Sequence, residues 1–513
     1  MTSLKTFSKD PQFSKLRAAL WPIQQNELKK FIPMGIMMFL VLFNYTLLRN
    51  TKDALVVTAP ACGAEVIPFI KLWGVMPCAV LFFLIYTKLS NILSRENLFY
   101  ACLIPFLLFF GAFAFIIYPS KEFLHPSLES VNALRESCPN VKWFISLYGV
   151  WSYVIFFILS ELWGVVVIAL LFWQFANEIT RTNEAKRFYS FFGLIGNLAL
   201  ITAGVIVEWL AGIQSDIPPE QDVWGMSLTF IMVAIVVVGV GILGVYWWMN
   251  RYVLTNPLYY DAADSLKSKK KEDKPKLSLK ESLLYLISSK YLGCIALLVI
   301  GYGISMNMAD VTWKSQLQAY FPHSNDYFLF MGRFSFWTGI TTMAFILMTK
   351  GIVRRFGWLT GAMIPPLVVL VASGFFFTFV LFKDNLDSAF ALIGVTSVYM
   401  AVMIGAVQNI LSKGMKYSLF DPTKEMSYIP LDQELKVKGK AAVDVIGGRL
   451  GKSGGGFIQF CLLTITAGTQ MTIAPYLFGV IILVVLGWIG AVKGLSKLYA
   501  AKLQEEKVLK SAA

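Results

Sequence analysis

Residues 226–250 read MSLTFIMVAIVVVGVGILGVYWWMN, without one charged side chain. A helix of about 20 apolar residues spans the roughly 30 Å hydrocarbon core of a bilayer, so this stretch is long enough to cross it. Its apolar residues lie on every side of a helix, whereas strands of a membrane β-barrel alternate polar and apolar residues over about ten positions. The stretch therefore predicts a transmembrane helix and excludes a barrel strand.

The rest of the chain is also strongly apolar. Of its 513 residues, 57% are hydrophobic and 15% are charged, and the mean hydropathy is +0.63. Soluble domains carry about 25% charged residues, so a soluble enzyme is excluded. The first thirty residues are polar and basic and lead directly into an apolar run, and no cleavable signal peptide is expected. The six cysteines show no CxxC spacing, so we predict no disulfide framework, no metal site and no cofactor.

Apolar runs separated by polar connections predict an all-α membrane protein with twelve transmembrane helices. The predicted spans are 31–58, 66–87, 98–118, 143–177, 186–211, 226–250, 291–313, 327–349, 358–382, 389–412, 439–467 and 474–497. The longest basic connection divides them six and six. The predicted organisation is thus a basic N-terminal segment (1–30), a six-helix bundle (31–250), a basic linker (251–290), a second six-helix bundle (291–497) and a tail (498–513).

The distribution of Lys and Arg predicts the orientation in the membrane. Of the 45 basic residues, 34 lie in connections on the side of the termini and five in connections on the other side. Cytoplasmic loops retain positive charge, so both termini are predicted to be cytoplasmic. The net charge of +14 is then a consequence of topology and does not indicate nucleic-acid binding. The linker is interpreted as a solvated segment that touches anionic lipid rather than as a specific site.

Weak internal symmetry relates the two predicted bundles. Sliding span 7 onto span 1 and span 11 onto span 5 aligns Tyr45 with Tyr302, Asn50 with Asn307, Asp53 with Asp310, and Gly193-x-x-Gly196 with Gly448-x-x-Gly451. Both alignments relate a span to the sixth span after it, as expected for the parallel halves of a major-facilitator-like fold. In such a fold the substrate binds between the halves near the midplane.

Charged residues inside the predicted spans mark a candidate substrate pathway, because a charge at the bilayer centre costs at least about 2.5–3.5 kcal/mol. The basic residues are Arg49, Lys52, Lys71, Arg333, Arg449 and Lys452, and the acidic ones are Asp53, Glu161, Asp310 and Asp444. From their predicted depth we expect Lys52, Glu161, Arg449 and Lys452 to line one central cavity.

Structural roles are the alternative for several of these charges. Arg49 and Asp53 are spaced i,i+4 toward the end of span 1, where they would pair or snorkel. Glu161 would be a neutral acid bonded to a neighbouring helix. Arg333 would pair with Asp310 on the adjacent span.

Span 11 combines basic residues with glycines in the segment KAAVDVIGGRLGKSGGG, residues 440–456. Lys440, Asp444, Gly448 and Lys452 recur every four residues, and Arg449 lies three residues before Lys452. One face of a helix is therefore basic and suited to an anion. The glycines permit close approach of a ligand or of a neighbouring helix. The Gly-Lys-Ser at 451–453 is no phosphate-binding loop, because position 446 is Ile and no strand precedes it.

Aromatic side chains near the pathway are candidates for stacking on a flat base. They are Tyr45, Tyr153, Phe157 and Tyr302. In a chain with 15% aromatic residues, packing is the commoner role for each of them.

Six segments resemble the ATP/ADP translocases of plastids and obligate intracellular bacteria, chlamydial members above all. They are NYTLLRNTKDALVV (44–57), ELWG (161–164), FWQFAN (172–177), EAKRFY (184–189), YSLFDPTKEM (417–426) and IPLDQELKVKGKAAVD (429–444). The resemblance covers nearly the whole chain. It implies a secondary antiporter rather than an enzyme, in which host ATP enters while bacterial ADP leaves, with phosphate accompanying ADP.

The same resemblance maps the charged residues that the family needs onto Lys52, Glu161, Asp310 and Lys452. The family's usual acid in span 7 is Glu, and Asp310 is shorter by one methylene, which affects its reach. Related proteins import nucleoside triphosphates with protons or exchange NAD for ADP, so both activities are alternatives. A nutrient sensor or interaction protein built on a transporter scaffold is a third alternative.

The predicted substrate-binding residues are Tyr45, Arg49, Lys52, Glu161, Asn307, Asp310, Lys440, Asp444, Arg449 and Lys452. The predicted partners are ATP, ADP, phosphate and membrane lipid. The protein is expected to be a monomer in the bacterial inner membrane.

Overall fold

The computed structural model describes residues 23–180, 182–214, 222–256, 289–349, 351–391, 394–431, 439–440, 443 and 447–512. These residues are mostly helical. The long helices are α1 (Leu28–Val57), α2 (Val66–Ile92), α3 (Arg95–Ile117), α4 (Trp151–Ile179), α5 (Thr182–Gln214), α6 (Val223–Val253), α7 (Lys290–Tyr320), α8 (Ser324–Thr349), α9 (Ile352–Leu381), α10 (Ser397–Met415), α11 (Gly448–Thr466) and α12 (Gln470–Ala512).

Within this part of the chain, nine helices are long and apolar enough to cross a membrane. The helices α8, α10 and α11 lie where spans 8, 10 and 11 are predicted, but they are not among the nine. The structure thus confirms an all-helical, multi-pass membrane protein, whereas the count of twelve spans stays a prediction.

Several helices differ in length from the predicted spans. The helix α7 continues to Tyr320, seven residues beyond the predicted end of span 7. Helical backbone also continues past α10 through Lys416–Phe420 and Asp421–Ser427. Four shorter helices lie on the side opposite the termini, at Lys121–Leu124, Leu128–Ser137, Lys142–Gly149 and Lys383–Ala391.

Each half of the chain contains a fully buried tryptophan that ties two helices together. The indole of Trp163 on α4 donates to the carbonyl of Val41 on α1 at 3.2 Å, and that of Trp313 on α7 donates to the carbonyl of Val402 on α10 at 2.9 Å. A buried indole N–H needs an acceptor, and here a backbone carbonyl of a packed helix supplies it.

The two halves, residues 23–256 and 289–512, are joined by polar contacts from the middle of the bundle to the side opposite the termini. Asn50 on α1 donates to the Met331 carbonyl at 3.3 Å and to Ser335 Oγ at 3.0 Å, both on α8. The hydroxyls of Thr58 and Ser324 are 2.6 Å apart. Ion pairs near the termini link helices of the same half, such as Lys30 with Glu184 at 2.7 Å. The structure is therefore in a state closed on the side opposite the termini.

Candidate functional site

A chain of ion pairs crosses from one half to the other inside the bundle. Lys52 Nζ lies 3.0 Å from Glu161 Oε1 and 2.7 Å from Asp53 Oδ1. Lys314 Nζ lies 2.9 Å from Asp53 Oδ2 and 2.7 Å from Asp310 Oδ2. The chain thus runs from α4 through α1 to α7, and its single link between the halves is the pair of Asp53 with Lys314.

The charged side chains of this chain of ion pairs differ in how far they are buried. Lys52 and Asp53 are almost fully buried, whereas Glu161 and Asp310 keep 26% and 22% of their side chains exposed. The Lys52 ammonium also lies over the Phe157 ring, 3.8 Å from its centroid, an arrangement that stabilises a desolvated cation. The two ends of the ion-pair chain are therefore the parts that a ligand would reach.

Three further basic residues lie close to the chain without a carboxylate partner among the described residues. Arg49 Nη2 is buried and has no hydrogen-bond partner within the described ranges. The charges of Glu161, Lys52, Lys314 and Asp310 act on Lys71, which comes from α2.

The third of these residues, Lys413 on α10, experiences the charges of Arg49, Asp310 and Lys314. Its ammonium lies 4.5 Å from the centroid of the Phe334 ring. Ring contact stabilises such a cation only partly, so an incoming anion is its natural partner.

We call these eight charged residues the central cluster: Arg49, Lys52, Asp53, Lys71, Glu161, Asp310, Lys314 and Lys413. Five are basic and three are acidic, so the cluster carries a net charge of +2 when all are ionised. A buried excess of positive charge in a membrane protein is costly unless a ligand neutralises it.

Three of the predicted site residues that the structure describes meet in the ion-pair chain, and Arg49 lies beside it. Lys52, Glu161 and Asp310 are members of that chain. Asn307 lies one turn before Asp310 on α7, and its Oδ1 accepts a hydrogen bond from Gln459 Nε2 at 3.0 Å.

The predicted residues of span 11 are more scattered. Lys440 is 43% exposed and pairs with Glu425 at 2.5 Å, away from the central cluster. Arg449 is exposed at the start of α11 and has no ion-pair partner within the described ranges. Asp444 and the side chain of Lys452 lie outside the described residues.

The alternative pairing of Arg333 with Asp310 is wrong. Arg333 makes a two-pronged ion pair with Glu208 on α5, at 2.7 and 2.6 Å, and both side chains are about half exposed. Asp310 is bound by Lys314 one turn further along its own helix. Adjacency of spans 7 and 8 in sequence does not specify which faces of the two helices meet.

Two members of the central cluster, Lys314 and Lys413, lie outside the predicted spans. Each lies just past the predicted end of an apolar run, and the structure places each inside a helix. The i,i+4 spacing of Asp310 and Lys314 is a signal that would have identified the first, because residues at that spacing share a helix face. For Lys413 we find no comparable signal.

The aromatic candidates have mostly structural partners. Tyr153 packs among Phe113, Tyr118 and His125. Phe157 is fully buried beneath Lys52. Tyr302 stacks on Phe420 at 5.3 Å and meets the edge of Trp488.

Tyr45 is half buried near the charges of Arg49 and Glu161. A Cβ atom at Gly164 would lie 2.9 Å from its ring, so the glycine of the ELWG segment makes room for this tyrosine. Two of the four aromatic candidates, Tyr45 and Phe157, lie beside the central cluster, and of these two Tyr45 is the one that is partly exposed.

Known proteins resemble the chain over nearly its whole length. The family described as "TLC ATP/ADP transporter" matches residues 6–499. ADP,ATP carrier protein 1 of Chlamydia trachomatis is 49% identical over 99% of this chain and 96% of its own. ADP,ATP carrier protein 1 of Rickettsia prowazekii is 44% identical over 97% and 98% of the two chains. The chloroplastic ADP,ATP carrier protein 1 of Arabidopsis thaliana is 44% identical over 96% and 77%.

Solved structures show the same fold at low sequence identity. A bacterial homologue of the iron transporter ferroportin superimposes with a TM-score of 0.59 at 14% identity, covering 92% of this chain and all of its own. The xylose transporter XylE of E. coli gives a TM-score of 0.53 at 11% identity, covering 92% and 99%. At this identity the likeness concerns the fold alone, and it confirms the prediction of a major-facilitator-like architecture.

Proposed function

Because the chain belongs to the TLC ATP/ADP transporter family, we propose that it exchanges ATP for ADP across a membrane and that the central cluster binds the phosphate groups. It is a transporter and not an enzyme. The direction that we propose is entry of host ATP and exit of bacterial ADP, with phosphate accompanying ADP. We further propose that the protein is a monomer of the bacterial inner membrane, with both termini in the cytoplasm and lipid around the bundle.

The observation that carries this proposal is a set of three basic side chains that have no carboxylate partner in the part of the chain that the structure describes, namely Arg49, Lys71 and Lys413. A nucleoside triphosphate is a polyanion, and its transfer into a low-dielectric interior is prohibitive unless fixed positive charges receive it. The planar guanidinium of Arg49 suits bidentate recognition of a phosphate group, whereas lysine acts as a point charge.

Glu161 and Lys52 would respond to the bound nucleotide. Glu161 is the partly exposed end of the ion-pair chain, and a phosphate group that approaches Lys52 competes with it. Displacement of Glu161 would leave Lys52 paired with Asp53 and open one side of its ammonium to the substrate. This step links occupancy of the site to a rearrangement between α1 and α4.

Exchange rather than one-way transport follows from charge repulsion between the halves. Arg49 belongs to the first half and Lys413 to the second, and the charge of Arg49 acts on Lys413 together with those of Asp310, Lys314 and Asp53. An empty carrier must bring these cations together in every cycle, and like charges disfavour that approach. A bound nucleotide of either kind removes the repulsion, so loaded carriers would reorient much faster than empty ones.

The test uses the purified protein in vesicles and labelled ATP. Vesicles are loaded with ADP or with buffer, and uptake is compared between wild type and Arg49→Gln. Loss of a hydrogen bond to a charged group costs about 1.5–3 kcal/mol, so the KM for ATP should rise roughly 10- to 150-fold. Arg333→Gln is the matched control, because Glu208 already satisfies that guanidinium, and its KM should stay within about twofold.

Two results would contradict the proposal. Uptake of ATP that is independent of internal ADP and follows a proton gradient would favour the proton-coupled importer. An Arg49→Gln variant with the wild-type KM would remove Arg49 from the binding site. Loading the vesicles with NAD in place of ADP tests, in the same assay, whether NAD is an exchange substrate, as in the NAD/ADP exchanger named as an alternative.

A further inference from the structure

A line of buried amides leads from the contact between the halves to Asn307. Gln470, the first residue of α12, donates through Nε2 to Thr312 Oγ1 at 3.0 Å and to Gln459 Oε1 at 2.9 Å. Gln459 on α11 donates through Nε2 to the Gly455 carbonyl at 3.1 Å and to Asn307 Oδ1 at 3.0 Å. Both glutamines are fully buried, so water does not replace these partners.

The direction of every hydrogen bond in this line is fixed by backbone carbonyls, which only accept. The Gly455 carbonyl requires the NH₂ end of Gln459, so the same NH₂ group faces Asn307 and the Asn307 oxygen must accept. The Met308 carbonyl takes the hydroxyl proton of Thr312 at 2.9 Å, so Thr312 must accept from Gln470. No other assignment of the amide groups satisfies the line.

The consequence for Asn307 is that its NH₂ group points away from Gln459. Asn307 is only partly buried, and its Nδ2 has no hydrogen-bond partner among the residues that the structure describes. Asn50, which the predicted internal symmetry aligns with Asn307, uses Nδ2 to hold α8. The two asparagines therefore have different partners, and within the described residues both N–H donors of Asn307 are free, one turn from Asp310.

The other end of the line is held by the opposite half of the protein. Glu65, just before α2, accepts the backbone N–H of Gln470 through Oε1 at 2.8 Å. Lys142 and Trp143 of the same half donate to the carbonyls of Ala467 and Gly468, at 2.5 and 3.3 Å. The amide line therefore begins where the halves close and ends beside the central cluster.

We infer that Gln459 and Gln470 are positioning residues that hold Asn307 with its NH₂ group toward the bound nucleotide, where it donates to an acceptor oxygen. The inference rests on the proposed function, because it assigns Asn307 a contact with that substrate. Neither glutamine touches the nucleotide. Each prevents the side-chain amide of Asn307 from flipping, because the flipped amide would turn its oxygen toward the phosphate groups of the nucleotide.

The test is a double-mutant cycle on the KM for ATP in ADP-loaded vesicles. Asn307→Ala removes the donor, and Gln459→Met removes the constraint while keeping side-chain length. Each should raise the KM about tenfold, the effect of one hydrogen bond to a charged acceptor. The KM of the double variant should exceed the higher of the two single-variant KM values by no more than about twofold, because both changes remove the same contact. The kcat should change much less than the KM.

Gln408→Met is the matched control. This glutamine is also fully buried in the second half, but it donates to Ser373 Oγ at 3.3 Å and to Met306 Sδ at 3.9 Å, and among the described residues no hydrogen bond joins it to Asn307. Its KM should equal that of wild type. If Gln459→Met does not fold, Gln470→Met serves in its place, because it releases Gln459 Oε1 and should also be non-additive with Asn307→Ala.

The inference is overturned if Gln459→Met and Gln470→Met have the wild-type KM, or if either adds its full effect to Asn307→Ala, as a general structural defect would. Failure of the proposed function is distinguishable from both outcomes, since the wild-type protein itself would then show no ATP uptake dependent on internal ADP.

Discussion

Replacement of Lys314 by methionine tests the link between the halves. The Lys314 ammonium is shared by Asp53 at 2.9 Å and Asp310 at 2.7 Å, and it is almost fully buried. Methionine keeps the length of the side chain and removes the charge. Asp53 would retain Lys52, but Asp310 would lose its ion-pair partner. Breaking a buried pair by removing one member costs about 3–5 kcal/mol, because the remaining charge is left uncompensated.

A second substitution separates charge from packing. In the double variant Lys314→Met with Asp310→Asn, the uncompensated carboxylate is gone, so most of the lost stability should return. Lys502→Met provides the control, since Lys502 makes an exposed i,i+3 pair with Glu505 on α12. Exposed pairs contribute little, and this variant should resemble wild type.

Thermal unfolding of the protein in detergent measures the outcome. We expect Lys314→Met to melt well below wild type, the double variant to melt between them, and Lys502→Met to match wild type. The reasoning would be refuted if Lys314→Met had the same melting temperature as Lys502→Met. It would also be refuted if the double variant were no more stable than the single one, because the cost would then not arise from a stranded charge.

Three further predictions concern the closed side and the ion-pair chain. Cysteines at Thr58 and Ser324, whose hydroxyls are 2.6 Å apart, should form a disulfide on oxidation and stop exchange, with recovery on reduction and no effect in either single-cysteine variant. Glu161→Gln should abolish or strongly slow exchange yet retain ATP binding, because the acid that pairs with Lys52 in the empty carrier is lost. If uptake and counter-exchange of this variant are both normal, Glu161 has only a structural role. Burial raises the pKa of Glu65 above its ordinary value of 4.5, so the closed contact is favoured by protonation and weakens as the pH rises from 4.5 through the raised pKa. Glu65→Gln, which stays neutral, should therefore melt above wild type at about pH 7.5 and no longer do so near pH 4.5, and a constant difference would contradict this cause.

The sequence predicts the helices and several site residues well, for physical reasons. A charge such as Lys52 or Glu161 within an apolar run is conspicuous, because hydrocarbon excludes it. Lys413 is not conspicuous, since a lysine at the end of an apolar run has the same appearance whether it lies in a loop or inside the helix. Arg333 shows the converse limit: its depth is predictable, but its partner depends on how α5 and α8 pack.

Buried amides are the least predictable part of the site. Gln459 and Gln470 are ordinary polar residues in the sequence, and their importance arises because three helices bring them into one line with Asn307. A pattern within one helix carries no information about such a line. The hydrogen-bond directions in turn depend on carbonyls of Gly455 and Met308, whose positions only the packed structure fixes.

The division of the central cluster between the halves explains how it can open without stranding a buried charge. If Asp53 separates from Lys314, each keeps a partner in its own half, Lys52 for the first and Asp310 for the second. The first half then carries Arg49, Lys52, Lys71, Asp53 and Glu161, and the second carries Asp310, Lys314 and Lys413.

Each half therefore has a net charge of +1 when all these groups are ionised. Separation of the halves at the central cluster breaks one of its ion pairs and relieves the repulsion between two like net charges, so the two terms oppose each other. A nucleotide between the halves reverses the sign of the second term, because a polyanion attracts both. The same arrangement thus allows the empty carrier to open and makes its closure depend on an anion, which is the property that an exchanger requires.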